Sequence, residues 1–245
     1  MKLHWHLERL VNLVARKKIV FVIVEGPSDD TALGVILSKI YDINEVHVEI
    51  LRRDITTEKG ATTTNIISRV ASVVKQYAAG SHFKPSDFEH IIHLVDTDGV
   101  FVSNDCIVED PKAEGFIYTT GTITASEANR VVERNTQKKE NLKKISRTPK
   151  IWGVPYGVYY MSCNIEHVLF DKLNCSDDEK ESLSYGFAKQ YRDNVEGFLD
   201  FISNSDFSIC DEYLSSWEFI SKEKHSLERY TNFGLCFKKD DINAS

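Results

Sequence analysis

Acidic residues stand at two points where a short apolar run stops: Glu25 and Asp29 after Ile19-Val20-Phe21-Val22-Ile23-Val24, and Asp96 and Asp98 after His90-Ile91-Ile92-His93-Leu94-Val95. Runs of this length, rich in β-branched residues, predict strands covered on both faces in a parallel sheet. Carboxylates at their ends then reach the edge where open α/β sheets place ligands. Asp96 and Asp98 share one face if the extended conformation persists. So much like charge pushes carboxyl pKa values upward unless a cation offsets it. An all-oxygen donor set favours Mg²⁺ or Mn²⁺ over zinc, and such ions handle phosphates.

The elements that would carry these residues follow in order. Leu3, Leu7, Leu10, Val11 and Val14 predict an amphipathic helix over residues 1–16, closed by the basic Arg16-Lys17-Lys18. After the first strand, Ala32, Leu33, Val35, Ile36, Leu37 and Ile40 predict a helix, and Val46-His47-Val48-Glu49-Ile50-Leu51 a second strand. A loop over 52–64 leads to a helix with Ile66, Ile67, Val70, Val73, Val74 and Tyr77 on one side, then to the strand that ends at Asp96. Alternating strands and helices predict a doubly wound α/β sheet. The pattern loosens from 100 to 150, apart from a polar helix over about 126–146. A fourth strand, Val158-Tyr159-Tyr160-Met161, precedes Ser162-Cys163-Asn164-Ile165-Glu166 and a short helix. Residues 173–245 read as an acidic helical subdomain appended to the sheet.

Composition limits the partners. The 245 residues carry a formal charge of −7, so a nucleic acid would need a local basic patch or bound cations. Such a patch exists: residues 126–150 hold eight Lys or Arg against three Glu, and Lys138, Lys139, Lys143, Lys144 and Arg147 are the candidate phosphate contacts. The five cysteines form no CxxC pair, which argues against a disulfide framework or a zinc ribbon. With no signal-peptide pattern and no apolar run of membrane-spanning length, the expected location is cytoplasmic.

The run Val24-Glu25-Gly26-Pro27-Ser28-Asp29, followed about seventy residues later by Val95-Asp96-Thr97-Asp98-Gly99, resembles the TOPRIM domain of topoisomerases, bacterial primases and small nucleases. The resemblance covers roughly residues 17–172, with the basic helix as an insertion. It implies a mostly parallel sheet flanked by helices, Glu25 as acid/base or metal-associated glutamate, and Asp96 and Asp98 as metal ligands. The Ser162–Glu166 segment is similar to an acidic element of the OLD-type nucleases, which implies a two-ion Mg²⁺ or Mn²⁺ site with Glu166 and Asp29 holding the second ion. No Walker A sequence is present. That pattern resembles the stand-alone TOPRIM effectors of bacterial phage-defence systems, implying an antiviral, abortive-infection nuclease that cuts DNA or RNA, transfer RNA among the targets. It further implies control by a separate ABC-type ATPase. A homodimer is a further expectation.

Other readings stay open. Asp96-Thr97-Asp98-Gly99-Val100-Phe101 is also similar to the first motif of haloacid-dehalogenase-type phosphatases, with Asp96 as nucleophile, Asp98 as general acid and Asp177-Asp178 as a downstream acidic pair. A non-catalytic TOPRIM-like module for nucleic-acid binding or assembly is a third. Residue by residue, Asp29 could cap the helix, the basic helix could be a solvated face, His93 and His167 could pack internally, and Asp54 could approach the site.

Overall fold

The run without a polar face becomes β1 (Lys18–Val24), with Ile19 to Val24 all buried. A computed structural model describes residues 17–41 and 46–238. The helix expected over 1–16 lies outside the described residues.

Both faces of β1 are covered because the chain winds to either side of it. From β1 it passes through α1 (Pro27–Ile40) to β2 (Val46–Arg52), which pairs parallel on one flank of β1. It then returns through α2 (Ile66–Ser81) to β3 (Phe88–Asp96), parallel on the other flank. The reversal of direction makes the carboxyl ends of β1 and β3 the switch point of the sheet, the position at which such folds bind ligands. Glu25 and Asp96 stand there.

Three short strands follow, which the loosened pattern of residues 100–150 did not reveal: β4 (Ile107–Glu109), β5 (Phe116–Tyr118) and β6 (Ile123–Ala125). They form a separate sheet in the order β4-β6-β5. The polar helix α3 (Ala128–Ile145) comes next, then β7 (Lys150–Ile151) and β8 (Val154–Met161). The main sheet has the order β2-β1-β3-β8-β7, parallel except for β7. It is therefore an α/β sheet of mostly parallel strands flanked by helices.

The last helices are α4 (Ile165–Phe170), α5 (Asp177–Tyr191), α6 (Val195–Asn204) and α7 (Tyr213–Ile220). One face of the sheet, with Val20, Val22, Val24, Ile92 and Leu94, packs on α1, α4, α5 and α6 and on Phe233. The opposite face, with Phe21, Ile23, Ile91, Val95 and Val158, packs on α2, on Leu142 and Ile145 of α3, and on Trp217 and Ile220 of α7. Each such fully buried aliphatic or aromatic side chain contributes about 1.5–3 kcal/mol. Residues beyond 173 thus pack on both faces of the sheet. Among the described residues no helix is long and apolar enough to cross a membrane.

Candidate functional site

Local sequence sets the entry into α1. Pro27 occupies the first turn, where its missing N–H costs nothing, and Gly26 is the N-cap. Asp29 turns back so that its Oδ2 accepts the backbone N–H of Glu25 and of Gly26, each at 3.0 Å. Asp29 is therefore a capping residue whatever else it does. Its burial, with help from Glu166, pushes the carboxyl up to about 6 even though the Gly26 N–H favours the charged form.

The second strand end is tied down from three sides. Thr97, fully buried, donates its hydroxyl to the carbonyl of Ser226 at 2.8 Å and accepts the N–H of Cys163 at 2.8 Å. The Asp98 N–H donates to the carbonyl of Cys163 at 2.8 Å, which locks the end of β3 to the segment after β8. Asp98 adopts φ +50° and Gly99 φ +68°. At Gly99 a Cβ would lie 2.5 Å from Cδ2 of Leu227, so the glycine is needed for space as well as for conformation. The loop 225–232, far away in sequence, is thus the floor of the acidic turn.

These constraints bring the sequence-predicted acids together. Asp96 is flanked by Glu25, Asp29 and Asp98; burial first, then those three charges, hold its carboxyl well above the usual range. The Asp96 side chain has no polar partner among the described residues. Glu166, 3% exposed in the first turn of α4, accepts a hydrogen bond from the Ser28 hydroxyl at 3.2 Å and lies 3.8 Å from Nζ of Lys180. Ser28 also donates to Asp29 at 3.4 Å, so it bridges the Asp29 and Glu166 carboxylates.

The decisive surprise is Lys138. The sequence put it with the phosphate contacts on the basic face of α3, but its side chain is fully buried. Val131, Asn135, Lys138, Leu142 and Ile145 are all buried, and their spacing is one helical stripe. Its Nζ reaches into the acids, donating to both oxygens of Glu25 at 3.0 Å and to Oδ2 of Asp98 at 2.6 Å. Burial alone would discharge the amine, but Asp98, Glu25, Asp54 and Asp96 together hold its pKa well above the ordinary lysine value. Lys143 and Lys144 are exposed on the opposite side of the helix, Arg147 is exposed just beyond its end, and Lys139 is half-buried.

Further residues of the site were not foreseen. Arg134 donates to the Asp98 carbonyl at 2.8 Å and to the Tyr118 hydroxyl at 2.7 Å, with its guanidinium 4.6 Å from the centre of the Phe116 ring. The small sheet is thereby fastened beside the acidic turn. Asp54 does approach the cluster. Burial alone would raise its carboxyl, but Lys138 and the hydrogen bonds from Thr57 and Thr56 outweigh that and hold it below the usual range. His93 is internal, paired with the Tyr156 hydroxyl at 2.8 Å. Asp177 and Asp178 open the exposed first turn of α5, not a strand end.

No family model, curated protein or solved structure matches this chain.

The donor chemistry suits a hard divalent ion: Glu25, Asp96 and Asp98 offer only oxygens, and Asp96 is a carboxylate among carboxylates with no hydrogen-bond partner among the described residues. Asp29 and Glu166 extend the set on the α1 side. Among the described residues, however, no group of three or more His, Cys, Asp or Glu side chains is placed to hold a metal ion. Lys138 stands between Glu25 and Asp98.

Proposed function

We propose that this chain is a divalent-ion-dependent nuclease that hydrolyses phosphodiester bonds. The observation that carries the reading is the convergence of Glu25, Asp96 and Asp98, with Asp29 and Glu166 alongside, at the switch point of a parallel sheet. Glu25, Asp96 and Asp98 would hold one Mg²⁺ or Mn²⁺, and Asp29 and Glu166 a second. Bound there, such ions supply charge neutralisation of the scissile phosphate and an acidified water.

The chain's own groups divide the remaining work. Burial pushes the Glu25 carboxyl up against the opposing pull of Lys138, whose ammonium donates to both of its oxygens. Exposed Lys143, Lys144 and Arg147 offer sequence-independent contacts to a polyanionic backbone. Thr97 and Ser226 keep the Asp96–Asp98 turn and the Glu166 segment at a fixed separation.

The resemblance to TOPRIM nucleases of the OLD-like branch supports the same chemistry. It extends the proposal to a cytoplasmic phage-defence effector restrained by a separate ABC-type ATPase, acting on DNA or RNA, with transfer RNA a candidate target, and possessing a capacity to form homodimers. Cleavage of single- and double-stranded DNA, total RNA and purified transfer RNA, with Mg²⁺ or Mn²⁺ and beside Glu25→Gln and EDTA controls, tests it. Metal-dependent cutting that Glu25→Gln abolishes is the expected result. Hydrolysis of a simple phosphomonoester that needs Asp96 but not Glu25 would instead move the chain to the phosphatase reading.

A further inference from the structure

The oxygens around Nζ of Lys138 are spaced for an ammonium ion. They lie at 3.0, 3.0 and 2.6 Å, whereas Mg²⁺ draws its oxygen ligands to about 2.0–2.1 Å. An ion and this ammonium therefore cannot share the gap between Glu25 and Asp98. Lys138 is also no casual visitor. It is fully buried, it grows from the inward stripe of α3, and the helix is anchored on either side of it. Asn141, one turn later, donates to the Thr56 carbonyl at 2.9 Å, and Arg134, one turn earlier, donates to the Asp98 carbonyl at 2.8 Å. The Asp96 side chain, in contrast, makes no hydrogen bond or ion pair among the described residues, though it feels the Lys138 charge.

We infer that Lys138 is a built-in counter-cation that competes with the divalent ion for Glu25 and Asp98, so that loading this position requires the ammonium to be displaced. The inference rests on the proposed ion site and names its regulation. Without metal, the lysine balances the acids and keeps the fold intact. With metal, binding is weakened by the free energy needed to move a buried, multiply bonded ammonium aside. The position of Asp29 and Glu166, where the nearest ammonium is that of the partly exposed Lys180 at 3.8 Å, carries a smaller penalty, which makes the two halves of the site unequal.

The test is Mn²⁺ binding to the full chain without nucleic acid, followed by titration calorimetry, for wild type, Lys138→Met and Lys138→Gln. Gln keeps a neutral donor between the carboxylates and guards against a Met variant that folds poorly, with circular dichroism as the check. The expected result is that at least one Mn²⁺ binds about tenfold tighter or more in the variants, a shift of about 1.4 kcal/mol, and raises their melting temperature more than that of wild type. Equal affinity in wild type and both variants overturns the inference and leaves the ion site standing. No Mn²⁺ binding by any of the three overturns both. Wild type gives an independent readout through acylation of Lys138 by acetic anhydride, mapped by mass spectrometry. Acylation should increase at saturating Mn²⁺, and an unchanged yield there overturns displacement.

Discussion

Nζ of Lys138 lies 2.6 Å from Oδ2 of Asp98, with the lysine side chain fully buried and the aspartate 21% exposed. A buried charge whose partner is removed costs far more than the pair itself contributes, on the order of 3–5 kcal/mol. Lys138→Met leaves Glu25 and Asp98 facing each other without a cation, so a loss of about 3 kcal/mol in urea unfolding is expected, the low end because both carboxylates keep some solvent. Adding Glu25→Gln and Asp98→Asn to the same chain removes the uncompensated charge and should restore most of that loss. Strictly additive losses in the triple variant would show that the lysine acts through packing of its stem and not through its charge.

Gly99 makes a second prediction about the same turn. Alanine there meets both a left-handed backbone and the Leu227 side chain 2.5 Å away. Strain of this kind costs about 1–3 kcal/mol, which in a chain of this size lowers Tm by roughly 2–4 °C per kcal/mol. Because Leu227 is itself fully buried, the comparison is made within a Leu227→Ala background, where Gly99→Ala should cost less than in wild type but still something, since the left-handed backbone and Ile123 Cδ1 at 2.9 Å remain. An equal cost in both backgrounds would show that conformation, not the Leu227 contact, fixes the glycine.

How far these features could be read from sequence depends on the range over which each is encoded. The strand ends at Glu25 and Asp96 are local: a run of β-branched residues followed by an acid and a glycine. The buried stripe of α3 is local too, since residues 131, 135, 138, 142 and 145 follow the helical period. That spacing distinguishes Lys138, which faces inward, from Lys143 and Lys144, which face out, whereas the net charge of the segment does not. Ser226 and Leu227, by contrast, meet the Thr97–Gly99 turn across more than 120 residues of chain. No periodicity reports such a contact. The small β4–β6 sheet escaped because its strands are three residues each, too short for an alternation to register.

If the basic face of α3 grips a phosphate backbone, its residues should act as a set that excludes Lys138. Lys143→Glu and Lys144→Glu on the exposed side of the helix, and Arg147→Glu just beyond its end, are surface changes of a kind that usually alters stability by less than about 0.5 kcal/mol. Each lost phosphate contact lowers the slope of log affinity against log salt by about 0.7–0.9. Filter binding to single- and double-stranded nucleic acid across a salt series, in EDTA to prevent cutting, should show that fall for the triple variant. An unchanged slope would return this face to the role of a solvated surface.

Two buried histidines give the fold a characteristic acid response. Burial holds the imidazole of His90 down to about 4, and that of His93 down to about 3, the latter by burial first, with Asp54 and Lys138 pulling in opposite directions. Both native values lie below the unfolded value of about 6.5, so the unfolded chain takes up protons that the folded chain refuses. The histidine contribution to stability is therefore complete above about pH 6.5 and falls as pH drops below it, by up to about 1.4 kcal/mol per unit for each histidine. Asp29 works in the other direction. Its native carboxyl is raised to about 6, so the folded state binds the extra proton between that value and the unfolded one, and stability gains there as pH falls. The histidine contribution is isolated by the difference between wild type and a His90→Gln, His93→Gln double variant in urea unfolding at pH 7.0, 6.0 and 5.0. Wild type should lose ground to the variant steadily over that range. A pH-independent difference would mean that both imidazoles reach solvent protons in the native state, contrary to their burial beside Tyr41 and Tyr156.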